Sequence, residues 1–222
     1  MSYNPQSRVP FTSFLTLDND HMIDVAEVLD LHRAMVVRWH EQDVDNPQEG
    51  FLELVCTQFS FNFLLWHEED IARSPDVGDK KIAEVKRKID GYNQNRNDWI
   101  EKLDDWFTEQ LEANCIVAEE GAAMNTETPG SVIDRLSIMA LRIYHMQEQI
   151  ERDDATEQHR EAVQHKLAVC MLQLDELAAA LQHLLANIEA GNVRHRTYRQ
   201  FKMYNDPTMN PYLYKAAQRQ AG

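Results

Sequence analysis

Three stretches of the chain set ionisable and amide side chains at spacings that chemistry can use. In Trp66-His67-Glu68-Glu69-Asp70-Ile71-Ala72-Arg73, His67 and Asp70 stand three apart and share one face of a helix, as do Asn62, Trp66 and Asp70. A His-x-x-Asp pair can bind one metal ion, or its carboxylate can set the imidazole tautomer for acid-base work. The competing structural reading is a core histidine beside a surface Glu69–Arg73 ion pair. The second stretch advances through Lys86, Asp90, Asn93, Asn97, Glu101 and Asp104 in steps of four, three, four, four and three, one continuous polar stripe on a helix. Asparagine is a poor interior helix residue because its amide competes for the backbone. A solvated face is normally written with Glu, Lys and Gln, so the stripe is expected to face a cleft or a polar network. The third stretch runs from Asn125 through Thr128-Pro129-Gly130-Ser131 to Ser137 and on to Tyr144-His145. Backbone amides at this helix start, with Gly130 permitting close approach, could hold an anion such as phosphate. Ser131-x-x-Asp134 also has capping-box spacing and would use the same amides structurally. Asp134, Ser137, Leu141 and His145 lie along one face, and His145-x-x-Glu148 repeats the His-x-x-acid spacing.

Read as one site, His67 and His145 are the acid-base candidates, and Asp70, Asp90 and Asp134 would orient them or hold a divalent metal. Arg73, Lys86, Arg96 and Arg135 would clamp anionic oxygens, with Asn93, Asn97 and Ser137 supplying hydrogen bonds. The ligand this chemistry suits is a small phosphorylated molecule. Glu101-x-x-Asp104 fits half of the carboxylate motif of all-helical nucleotide pyrophosphatases, but the earlier Glu-x-x-Glu half is missing. A di-iron bundle wants Glu-x-x-His pairs, whereas here the acid follows the histidine.

These residues must be positioned by helices. Apolar periodicity predicts a first helix from Asp20 to about Gln42, broken by Asn46-Pro47, and a second from Pro47 to Arg73, stopped by Ser74-Pro75. Asp79 is a plausible N-cap for a third helix reaching about Asn114. Thr128 before Pro129 suits an N-cap with Pro at N1, opening a fourth helix to about Arg152. In the fifth, Val163, Leu167, Cys170, Leu174, Leu177, Leu181, Leu184 and Ile188 form a heptad seam, which implies a long coiled-coil type contact within the bundle or across a dimer axis. Gly191 ends it. Cys115 to Thr128 carries no clear period, and strand alternation is absent. The fold class is therefore all-α: one domain with a bundle of about five main helices over residues 1–190 and a tail, residues 191–222, packing on it.

Length and composition agree. A chain of 222 residues with only seven Gly and seven Pro disfavours long loops, and it buries enough surface to need neither disulfide nor structural metal. No apolar run approaches a membrane span. With 22 basic against 37 acidic residues, net charge −15 opposes nucleic acid as a partner. The charge is segregated: Gly191 to Gly222 holds six Lys or Arg and one Asp, interleaved with Tyr198, Phe201, Tyr204, Tyr212 and Tyr214. Such a strap would dock on an acidic helical body, its own or a neighbour's. Three scattered cysteines suggest reduced thiols, and Met1 to Phe14 lack the apolar region of a signal peptide, so a cytoplasmic location is expected.

The three stretches, together with Phe201-Lys202-Met203-Tyr204-Asn205-Asp206-Pro207 and Asn210-Pro211-Tyr212-Leu213-Tyr214, resemble the bacterial domain-of-unknown-function family 4254. The resemblance covers most of the chain; it implies a sugar-nucleotide or surface-glycan context and carries no assigned reaction. Two classes of function follow. One is a bundle whose polar cleft binds a phosphorylated small molecule, with a nucleotide sugar the named candidate and turnover left open. The other is a non-catalytic helical adaptor partnering a glycosyltransferase or similar component, acting as a homo-oligomer or binding its partner through the heptad helix.

Overall fold

The computed structural model describes residues 22–220; the reading of Met1 to Phe14 and the start of the first helix at Asp20 lie outside them. The order is α1 (Val25–Glu41), α2 (Gly50–Arg73), α3 (Asp79–Ala113), β1 (Ala123–Met124), α4 (Pro129–Glu151), α5 (Glu157–Glu189), β2 (Val193–Arg194) and α6 (Pro211–Gln220). The architecture is all-α. The strands are a two-residue parallel bridge, Ala123 opposite Val193 and Met124 opposite Arg194, which ties the loop before α4 to the exit from α5. Among the described residues no helix is long and apolar enough to cross a membrane.

Local chemistry sets the helix ends. Asp24 caps α1 by accepting from the Ala26 amide. Residues 47–49 stay non-helical, so α2 begins three residues later than Pro47. At α4 the capping box is Thr128 with Ser131, each side chain bonded to the other's amide, and not the Ser131–Asp134 pair that spacing also allowed. Thr156 caps α5, about two turns before the first seam residue, Val163. Gly191 adopts φ +77° after α5, and a Cβ there would lie 3.1 Å from the Val117 carbonyl oxygen, so both backbone and space favour glycine.

Helix α2 packs chiefly on α3 and α4 on α5, with α1 laid across α4 and α2. One core joins Trp39 of α1, Phe59 and Phe63 of α2, Phe107 of α3, Leu136 and Leu141 of α4 and Leu181 and Leu185 of α5. Six of the eight seam residues of α5 are buried in the chain itself, so the heptad contact is satisfied internally, mainly by α4.

The tail docks on its own chain. Arg199 reaches Asp105 and Glu101, Thr197 donates to Asp105, and the Lys202 ammonium donates to the Asn93 and Gln94 carbonyls. The basic strap therefore runs along α3 and covers part of its polar stripe. Its end forms α6, a sixth helix beyond the five expected, with Asn210 accepting from the Tyr212 amide and Pro211 in the first turn.

Candidate functional site

Three histidines from three helices converge: His40 near the end of α1, His67 on α2 and His145 on α4. One nitrogen of each ring lies within 4.8 Å of the others, and the ring planes are mutually inclined by 72°, 72° and 81°. Aromatic neighbours hold them: Tyr144 stacks on His40 at 4.2 Å, Trp66 stacks on His145 at 4.9 Å, and Phe63 sits edge-on to His67 at 4.4 Å. His40 Nδ1 is 2.6 Å from the Val36 carbonyl oxygen and His145 Nδ1 is 2.7 Å from Glu148 Oε2. A carbonyl only accepts, so His40 Nδ1 carries a proton, and in the neutral tautomer its Nε2 is a lone pair. The Glu148 carboxylate sets His145 the same way. Both Nε2 atoms are buried with no hydrogen-bond partner among the described residues. Burial, then the neighbouring His40 and His145, lowers the His67 pKa and favours the neutral ring.

Trp66 also lines a cleft of about 350 Å³ with Glu69, Asp70, Arg73, Asn93 and Arg96, floored by Asn62, Ile138 and Leu141. Beneath it lies a buried polar network. Asp134 accepts from Gln58 Nε2 at 2.6 Å, from Asn62 Nδ2 at 2.8 Å and from Arg96 Nε at 2.7 Å, and a second Arg96 nitrogen bonds its other oxygen. Asn62 also donates to Ser137 Oγ, which donates in turn to the Asp134 carbonyl. The network ties α2, α3 and α4 together.

The predicted residues divide accordingly. His67 and His145 meet, but the bonded His-x-x-acid pair is His145–Glu148; among the described residues no hydrogen bond joins His67 to Asp70, which is exposed at the cleft rim. Arg73, Asn93 and Arg96 do border that cleft, with Arg73 paired to Glu69 at 2.5 Å. Asp134 and Ser137 are buried beneath it. Lys86 and Asp90 pair with each other at 2.8 Å, exposed on α3, and neither lines the cleft, which α3 borders farther along, at Asn93 and Arg96. Arg135 bonds Glu127 at 3.3 Å and borders a different hollow, with Arg142 and Glu176. Asn97 is half-buried on α3 and is not among the cleft-lining residues. Asp70, Asp90 and Asp134 do not converge on a cation.

The start of α4 is already occupied by an anion of the chain's own. Asp104 Oδ1 accepts from the Gly130 amide at 2.8 Å, and a Cβ on Gly130 would meet the Ile100 carbonyl oxygen at 2.7 Å. Burial drives the Asp104 pKa up to about 6 against hydrogen bonds from Thr128 and Gly130 that lower it. The helix dipole is thus satisfied internally and not by an external phosphate.

His40, Gln58 and the internal role of Asp104 were not foreseen. His40-x-x-Asp43 carries the same His-x-x-acid spacing as the other two histidines, the one signal that could have flagged it, although α1 ends at Glu41 before that pair can form. Neither curated proteins nor solved structures give a match to this chain. A family model described as "Protein of unknown function (DUF4254)" matches residues 52–197, a span that holds the cleft, the buried network and two of the three histidines, and the chain belongs to that family.

Proposed function

We propose that the protein binds a small phosphorylated ligand, of the nucleotide-sugar class, in the cleft beside the three histidines. The observation that carries this is the juxtaposition at one hollow of an indole, two guanidinium groups and two amides, the mix that a sugar or base with an anionic group requires. Arg73 is the mobile clamp, because an exposed ion pair with Glu69 stabilises little and can be exchanged for a phosphate. Arg96 is held by Asp134 and presents a fixed edge. The working compartment is a bacterial cytoplasm, in keeping with three free cysteines, one of them exposed.

Thermal unfolding in chelator, with and without nucleotides and nucleotide sugars, tests the reading. A ligand at about a hundred times its Kd adds roughly 2.7 kcal/mol, on the order of 5 to 10 °C for a chain of this size. The shift should vanish in Arg73→Ala. A flat response across the panel removes this function and favours the adaptor, a reading supported by the tail, where Phe201 is 79% and Tyr212 88% exposed.

A further inference from the structure

We infer that His40, His67 and His145 form a mononuclear transition-metal site, with zinc the best-suited ion. Two buried imidazole lone pairs, on His40 and His145, have no donor, and a third ring brings its own nitrogen within 4.8 Å. Imidazole lone pairs cannot satisfy one another, whereas a cation can accept one from each ring. Imidazole nitrogen suits zinc, copper, nickel and iron, and excludes magnesium and calcium, which prefer oxygen.

The surroundings are those of a ligand set. His145 Nδ1 against the Glu148 carboxylate, and His40 Nδ1 against the Val36 carbonyl, are the outer contacts that orient metal-binding imidazoles and raise their basicity. Tyr144, Phe63 and Trp66 fix the ring planes and limit water. Around a tetrahedral zinc, ligand nitrogens lie roughly 3.3 Å apart given Zn–N of about 2.0 Å, so loading draws the rings together by an ångström or somewhat more. Three protein ligands leave one position open, the arrangement of catalytic zinc, at which the ion would polarise a bound oxygen. Trp66, stacked on His145, also walls the cleft, so the histidine cluster and the cleft have a shared border. The metal site stands apart from the identity of the cleft's ligand, because zinc can be titrated with no organic molecule present.

The full chain, stripped with chelator and dialysed, is titrated with Zn²⁺ by calorimetry and with Co²⁺ by visible absorption. One ion per chain, micromolar or tighter, with the intense d–d bands of a four-coordinate site, is expected. His67→Gln should weaken binding at least 100-fold, and Glu148→Gln by 10- to 100-fold through His145 alone, with far-ultraviolet circular dichroism unchanged. Should His67→Gln fail to fold, X-ray absorption of the zinc-loaded native protein decides instead. Three imidazoles near 2.0 Å support the site; thiolate ligands or an all-oxygen shell overturn it. Absence of stoichiometric binding overturns it as well, as does binding that survives His67→Gln, which would mark capture by the exposed His159, His165 or His183.

Discussion

Replacing His32 with leucine is expected to stabilise the protein, and to do so more strongly in acid. His32 is 1% exposed on α1, edge-on to Phe59 at 4.8 Å, and neither ring nitrogen has a hydrogen-bond partner among the described residues. Desolvation lowers its pKa to about 3 from 6.5. A base whose folded pKa is depressed contributes stability above its unfolded pKa and loses it as pH falls from 6.5 toward 3. At pH 5 the unfolded ring is almost wholly protonated and the folded ring almost wholly neutral. The native state is then about 2 kcal/mol less favoured than at pH 7.5, at 1.36 kcal/mol per pKa unit. Leucine has similar volume and no proton to gain, so His32→Leu should be more stable than wild type by about 1 to 3 kcal/mol at pH 7.5, from relief of the unpaired polar atoms, and by a further 2 kcal/mol or so at pH 5. Urea unfolding followed by circular dichroism at the two pH values measures both. The second increment corresponds to roughly 4 to 8 °C in Tm. A gap between variant and wild type that stays constant from pH 7.5 to 5 refutes the reasoning, since it would mean that the ring is hydrated or paired in solution.

Asp104→Asn should act in the opposite sense. A carboxyl whose folded pKa is raised to about 6 loses stability as pH rises from 3.8 through 6, so the substitution, which keeps an acceptor for the Gly130 amide, stabilises by up to about 3 kcal/mol at pH 7.5. That gain should shrink by about 1.4 kcal/mol at pH 5 in the same urea assay, and a destabilised variant at pH 7.5 would contradict it. Arg96→Met leaves the buried Asp134 carboxylate without its cation and should cost about 3 to 5 kcal/mol in denaturant midpoint stability; a loss under 1 kcal/mol would show that Gln58 and Asn62 suffice. Gly130→Ala forces a methyl against the Ile100 carbonyl and should cost about 1 to 3 kcal/mol, read as a lowered Tm, with a neutral result placing α4 farther from α3 than described here.

The helices were legible because each reports itself locally. Ser74-Pro75, Asn46-Pro47 and Thr128-Pro129 mark ends by backbone chemistry, and apolar spacing marks faces, so α2 to α4 fall within a few residues of expectation, while α1 starts only at Val25, after non-helical residues 22–24. Three features were not. The cap of α4 had two candidates of equal spacing, and only packing decides: Asp134 is 4% exposed, spent on Arg96, and therefore withdrawn from the helix start. The sixth helix follows from Asn210-Pro211, a cap signal of the same kind as Thr128-Pro129 that the basic and aromatic composition of the tail obscured. The partner of the heptad seam was undetermined, since a 3.5-residue period fixes the shape of the contact and not its owner.

The candidate site was legible only where chemistry is local. His67 and His145 stand out by their acidic neighbours at three residues, yet the residue completing the cluster, His40, comes from a helix whose own pattern is that of ordinary core. The asparagine-rich stripe reads as facing a cleft or a polar network; Asn93 does border the cleft, whereas Lys86 and Asp90 face water. Its lower part, Glu101 to Asp104, is covered by the chain's own tail and by the start of α4, through Arg199 and Gly130. The same complementarity explains why the predicted clamp dissolved. In a chain with net charge −15 carboxylates outnumber cations, so Arg73, Lys86, Arg96 and Arg135 each find an acid within the chain. An anionic ligand in the cleft must then compete with a resident carboxylate, which the exposed Arg73–Glu69 pair permits at low cost and the buried Arg96–Asp134 pair does not. The imidazole cluster faces no such competition, because its lone pairs seek a cation and His40 Nε2 and His145 Nε2 have no donor. By that physical measure the cluster, unlike the paired cations, carries an unmet demand for a partner.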